Sequence, residues 1–222
     1  MHKRPALDVS YEKTPRKQQQ RSIRTKQKLL DAALDAFAEN GFQGTSTRNI
    51  AERAGVHHPL ITYHFKNKEE LWRAAADRIF REFNGKLARA AEEQAGECPK
   101  ARMSAMIRAY VHYAASNPAL HKIMVQEASR PSKRLDWLVD THLRPVFQIV
   151  VKDIEELQKR GVAPEGDPAL LFHMIRVSSG ALIALALELK GTSNIDLEKP
   201  AQLDALADLI IRVFLPGDID EE

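Results

Sequence analysis

Between Thr47 and Phe65, two short runs with helical apolar spacing meet at a single glycine, Gly55, and this segment leaves the chain the fewest folding choices. Ser46 or Thr47 offers an oxygen that can cap the first run, which carries Ile50, Ala51 and Ala54. Gly55 can take the positive φ that stops a helix abruptly. The second run, about His58 to Phe65, tolerates Pro59 because the first turn of a helix does not use that N–H. Ala51 is small where two helices must cross, and Ile50, Ala54, Val56 and Ile61 supply the contacts that fix their angle. Phe37 and Phe42 complete this small core from a preceding helix. Such a pair is the helix-turn-helix plan, in which the second helix enters the major groove of DNA.

The charge is placed to match. Residues 1–68 hold 13 Lys/Arg and 6 Asp/Glu, while the remaining residues hold 20 and 24. A basic front on a mildly acidic back points to a polyanionic partner for the front alone. Residues 1–20, polar and without periodicity, read as a disordered basic arm. Residues 21–68 read as the DNA-binding domain and 69–222 as a second, larger one.

Helical periodicity continues through that larger domain. Asn67 with Glu70 is a capping box for a long helix bearing Leu71, Ala75, Ile79, Phe83 and Leu87. Met103, Ile107, Tyr110 and Ala114 stripe the next helix, and Asn117–Pro118 opens another. Ser132 caps a helix expected to run to Arg160, kinked by Pro145. Asp167–Pro168 opens an apolar helix to about Lys190, and Pro200 opens the last. Ser22 is the expected cap of the first helix, with Ile23, Leu30, Leu34 and Phe37 on its core stripe. The expectation is an all-α chain of about nine helices, with an N-terminal three-helix DNA-binding domain.

The same composition excludes other classes. One cysteine, Cys98, allows neither an internal disulfide nor a Cys-rich zinc module. His57 and His58 point about 100° apart on a helix, and His57 lies about 10 Å from His64, so no metal or cofactor is expected. There is no Gly-rich phosphate loop, no G-x-S-x-G and no H-E-x-x-H, and the chain is not read as an enzyme. The longest uncharged apolar run, Val177 to Leu187, is too short for the ~20 residues of a membrane span. With no secretory signal at Met1 to Ser10, a cytoplasmic location is expected.

The run GFQGTSTRNIAERAGVHHPLITYHFKNKEELW, Gly41 to Trp72, resembles the DNA-binding region of the TetR family of bacterial repressors. Gly41–Phe42, Thr45, Thr47, Ile50–Ala51, Ala54–Gly55–Val56, Tyr63, Phe65, Lys68–Glu69 and Leu71 sit on the family's recurring positions. His57 and His58 replace its usual Ser and variable neighbour, and Thr62 stands where a second aromatic is frequent. The resemblance implies a homodimer on double-stranded operator DNA, released by a small-molecule inducer. It assigns base readout to His57, His58, Pro59 and Thr62. Thr47, Arg48, Tyr63, His64 and Lys68 are suited to phosphates.

In the larger domain the apolar stretch Val177 to Leu187 and the final helix, with Leu203, Leu206, Ile210, Val213 and Phe214, are the expected dimer interface, formed through the last two helices. The expected pocket lining is Phe83, Met103, Met106, Tyr110, Met124, Trp137, Phe147, His173 and Arg176. Arg176 sits on a nearly uncharged helix, where it either meets a polar group of the inducer or pairs with an internal acid such as Glu127 or Asp153.

Overall fold

The computed structural model describes residues 14–96 and 98–217. Most of the expected basic arm, residues 1–13, lies outside them. Thr14 to Gln20, expected to belong to that arm, are instead the first turns of a helix, α1, Thr14–Gly44. Ser22 therefore lies inside α1 and caps nothing, and Ile23 is exposed rather than part of the core stripe.

Among the described residues there are no strands. The helices are α1, α2 (Thr47–Ala54), α3 (Pro59–His64), α4 (Lys68–Glu92), α5 (Pro99–Ser116), α6 (Pro118–Ala128), α7 (Lys133–Leu138), α8 (Arg144–Lys159), α9 (Pro168–Ala184), α10 (Ala186–Ser193) and α11 (Pro200–Phe214). A π-helical turn, Val139–Leu143, joins α7 to α8. The chain divides into two compact units between Ala75 and Ala76, inside α4 and seven residues beyond the expected boundary.

The extra helices arise where two long ones break. Pro145 has no N–H to give the ladder, and its ring crowds the carbonyl four residues back. The turn before it widens, so that the N–H of Arg144 reaches Val139 O, five residues earlier. The expected kink is thus a π turn. The apolar helix opens as expected, with Asp167 Oδ1 accepting from Ala169 N at 2.7 Å. It then bends by 76° at Leu185 instead of running to Lys190. No proline, glycine or capping side chain marks that bend. No single helix among the described residues is long and apolar enough to cross a membrane.

In the first unit α1 packs on α2 and α2 on α3, burying Phe37, Ile50, Ala51, Ile61 and Phe65. In the second, α5 is central and packs against α6, α8, α9 and α11. Its buried face carries Met103, Ile107, Tyr110, Val111 and Ala114. Helix α6 lies close on α9 because Gly180 has no side chain: a Cβ there would stand 1.9 Å from His121 Nε2. His121 fills that space, stacked on Tyr110 with ring centres 5.6 Å apart.

Candidate nucleic-acid interface and interior cavity

The helix pair is built by local chemistry. Ser46 Oγ accepts from Asn49 N at 3.1 Å, closing the start of α2. Gly55 stops it at φ 62°, ψ 40°, and the N–H of Val56 returns to Ala51 O at 3.0 Å. Thr45, almost wholly buried, donates from Oγ1 towards Ala36 O at 2.9 Å and Gly41 O at 2.8 Å. The loop leading into α2 is thereby tied to the end of α1. Asn67 Oδ1 accepts from Glu70 N at 2.8 Å, and Glu70 Oε2 accepts from Lys66 N at 3.2 Å, so the capping box forms with its return bond one residue early.

Of the nine candidate DNA residues, Arg48, His57, His58, Pro59, Thr62 and Tyr63 are exposed, and Tyr63 is 74 % exposed. Thr47, His58, Thr62 and Lys68 line one groove, together with Gln43, Lys66 and other residues beside α3. Thr47 Oγ1 and His58 Nε2 are 3.0 Å apart and hold each other across the two helices. His58 flanks the start of α3, and its side chain makes no capping bond.

Two of the candidates read as suited to phosphates, Lys68 and His64, have tasks or surroundings of their own within the first unit. Lys68 Nζ donates to Phe42 O at 2.9 Å and Thr45 O at 3.0 Å and lies 4.4 Å from the centre of the Phe42 ring. It secures the end of α1 rather than presenting an open ammonium. His64 is held below the ordinary imidazole pKa, first by burial and then by the charge of Lys26, so it is neutral at pH 7. Any phosphate contact it makes is a hydrogen bond without charge.

The second unit holds a partly open cavity of about 280 Å³. Phe83, Met103, Met106, Tyr110, Met124, Phe147, His173 and Arg176 all line it. Trp137 does not; it stands edge-on to His142, ring centres 5.2 Å apart. Ile107 and Val150, on legible apolar stripes, complete much of the wall. Asn84 and His142 are polar contributors with no sequence signal, brought together by the bond from Asn84 Nδ2 to His142 O at 3.3 Å.

The acids proposed to pair with Arg176 are engaged elsewhere. Glu127 accepts from Arg134 at 3.0 Å and Ser132 at 3.1 Å, and Asp153 accepts from Arg102 at 2.9 Å. Arg176 Nε, Tyr110 Oη and His121 Nε2 are all buried without a hydrogen-bond partner among the described residues. Burial, with the Arg176 charge assisting, pushes the His121 imidazole down to about 4. Burial pushes the Tyr110 phenol well up, against the opposing pull of Arg176. Both are neutral at pH 7.

Residues 29–75 match the family described as bacterial regulatory proteins, tetR family. RutR of Escherichia coli strain K12, an HTH-type transcriptional regulator, is 25% identical over 198 residues, covering 89% of this chain and 92% of RutR. The class A tetracycline repressor from transposon 1721 of Escherichia coli is 43% identical over 54 residues, 24% of this chain and 25% of that protein. Among solved structures, AibR in complex with isovaleryl coenzyme A and operator DNA superposes with a TM-score of 0.71 at 15% identity, covering 87% of this chain and 100% of AibR. The family match covers α2, α3 and the capped start of α4, and a regulator aligns along nearly the whole length. The DNA-binding region of the chain, residues 29–75, is that described for the tetR family of bacterial regulatory proteins, and along most of its length the chain is similar to a helix-turn-helix transcriptional regulator.

Proposed function

We propose that the chain is a homodimeric, cytoplasmic repressor that holds double-stranded operator DNA through α2 and α3 and lets go when a small molecule fills the interior cavity. The helix pair of Thr47 to Phe65 carries this reading: capped, closed by Gly55, and exposing a polar face of Arg48, His57, His58 and Thr62. His57, His58, Pro59 and Thr62 read base edges, and Thr47, Arg48, Tyr63 and His64 contact phosphates.

Two copies are needed to read two half-sites about a helical turn apart, or a multiple of it. Leu170, Met174 and Val177 on α9 and Leu209 and Val213 on α11 are exposed large apolar side chains at helical spacing. Within the subunit Leu203, Ile210 and Phe214 are buried, so they serve its core and the interface falls to their neighbours. A second copy is the occupant proposed for this face.

The test is a mobility shift with duplexes enriched by in vitro selection. The reading expects a selected palindromic consensus bound far more tightly than random duplex. Equal binding to both overturns it.

A further inference from the structure

Resting on the reading of the cavity as an effector site, we infer that its ligand is a monoanionic amphiphile: a carboxylate head held by Arg176, Tyr110 and His121, carried on an acyl or aryl chain. Arg176 stands at a junction. It lines the 280 Å³ cavity together with Tyr110, and an adjoining space of about 140 Å³ together with His121. Tyr110 and His121 are 8% and 5% exposed, stacked on each other, and each leaves a polar atom unanswered.

Unpaired polar atoms in such a place are costly, and the half-buried Arg176, whose Nε is wholly buried and unanswered, adds a positive charge that nothing on the wall balances. The acids nearest in expectation, Glu127 and Asp153, already hold other arginines. Neither aromatic partner supplies a negative charge: the phenol keeps its proton and the imidazole stays neutral. What the three side chains have in common is a hydrogen to give. Arg176 offers its Nε–H, Tyr110 its hydroxyl, and His121 an Nε2–H in that tautomer. A single negative charge with several acceptor lone pairs completes the set, and a carboxylate has that charge and those lone pairs.

The rest of the wall sets the body of the ligand. Phe83, Met103, Ile107, Val146, Phe147 and Val150 offer only apolar surface. At ~30 Å³ for each water-sized group, the main cavity has room for a chain of roughly ten heavy atoms. Asn84, His142, Arg144 and His173 add further polar groups to the wall, and an apolar cavity with a few placed polar groups is the usual form of a small-molecule site.

The experiment is calorimetric titration of the full chain, without DNA, with decanoate and 4-phenylbutyrate and with their neutral primary amides. At least one acid is expected to bind, and to bind at least tenfold more tightly than its amide. Arg176→Gln is expected to erase that preference, leaving acid and amide within about twofold. Tyr110→Phe, which keeps the ring and its stacking, is expected to weaken the acid several-fold more than the amide, and it decides alone if the Arg176 variant does not fold. Amides binding as well as the acids, a preference that survives Arg176→Gln, or no binding by either acid overturns the inference. Because the titration contains no DNA, a failure here is separable from a failure to select a DNA consensus.

Discussion

The ammonium of Lys68 donates to the carbonyl oxygen of Phe42 at 2.9 Å while lying 4.4 Å from the centre of the same residue's ring. One side chain thus satisfies a helix-end carbonyl and covers the aromatic face beside it, and Thr45 O takes a further N–H. Lys68→Ala removes both functions. The expected result is a loss of about 1–2 kcal/mol in the stability of the first unit, seen in thermal unfolding. The slope of operator affinity against salt should be unchanged. A slope flatter by about one with an unaltered melting temperature would instead make Lys68 a phosphate contact.

Thr62 is exposed in the same groove, and among the described residues its side chain makes no hydrogen bond to another element. Thr62→Ala is expected to leave stability within about 0.5 kcal/mol and to change the preferred base at one position of each half-site. Repeating the duplex selection with the variant checks this. An unchanged consensus removes Thr62 from base readout.

The exposed apolar stripe gives a direct handle on assembly. Leu209→Glu places a charge on a face that is open in the single chain, so the subunit itself should fold normally. In a dimer the same charge would be buried unpaired, at a cost of several kcal/mol per ion. Sedimentation should report a monomer, and operator affinity should collapse with it. A dimer of undiminished stability would move the interface elsewhere.

Gly180→Ala is expected to be far more damaging than an alanine in a helix ordinarily is. The new methyl would meet the imidazole of His121, which cannot swing aside because it is buried and stacked on Tyr110. Overpacking of this kind costs about 1–3 kcal/mol. Placing the same substitution in a His121→Ala background should remove most of that cost. Chemical denaturation of the four members of this cycle measures the coupling.

The same imidazole gives the fold an acid-side weakness. His121 has a folded pKa of about 4, below its ordinary 6.5, so the unfolded chain binds the extra proton across that interval. Stability is therefore retained above pH 6.5 and lost as the pH falls towards 4, by ~3 kcal/mol in total from this group. Denaturation midpoints of the native chain and of His121→Gln, followed from pH 7 to pH 4.5, should converge as the pH falls. Parallel curves would mean that the group does not titrate in this way.

What was legible in the chain was what is local. The caps at Ser46, Asn67 and Asp167, and the stop at Gly55, depend on residues two to four positions away, and all form. The core stripes carried most of the cavity wall for the same reason, since apolar spacing follows the helix period. The task of Lys68 was hidden because its acceptors lie 26 and 23 residues earlier, where only the folded turn gathers them. Trp137 shows the opposite limit. Its size and character suited a pocket, but the widened turn after it sets it against His142 instead. Ile23 kept a core-like spacing at a point of α1 that no other described residue buries.

That widened turn, Val139–Leu143, also changes phase. A helix advances about 100° per residue, so one residue accommodated without an added step rotates all that follows relative to all that precedes. Helices α7 and α8 therefore present faces that no single straight helix of this sequence would present together. Val139, His142 and Leu143 reach the cavity from the turn itself, and Val146, Phe147 and Val150 from the helix beyond it. Removing one residue from the turn would restore the ordinary ladder and swing the aromatic ring of Phe147 off the wall. The capacity of the interior is thus set by an irregularity of register as much as by the size of the side chains that line it.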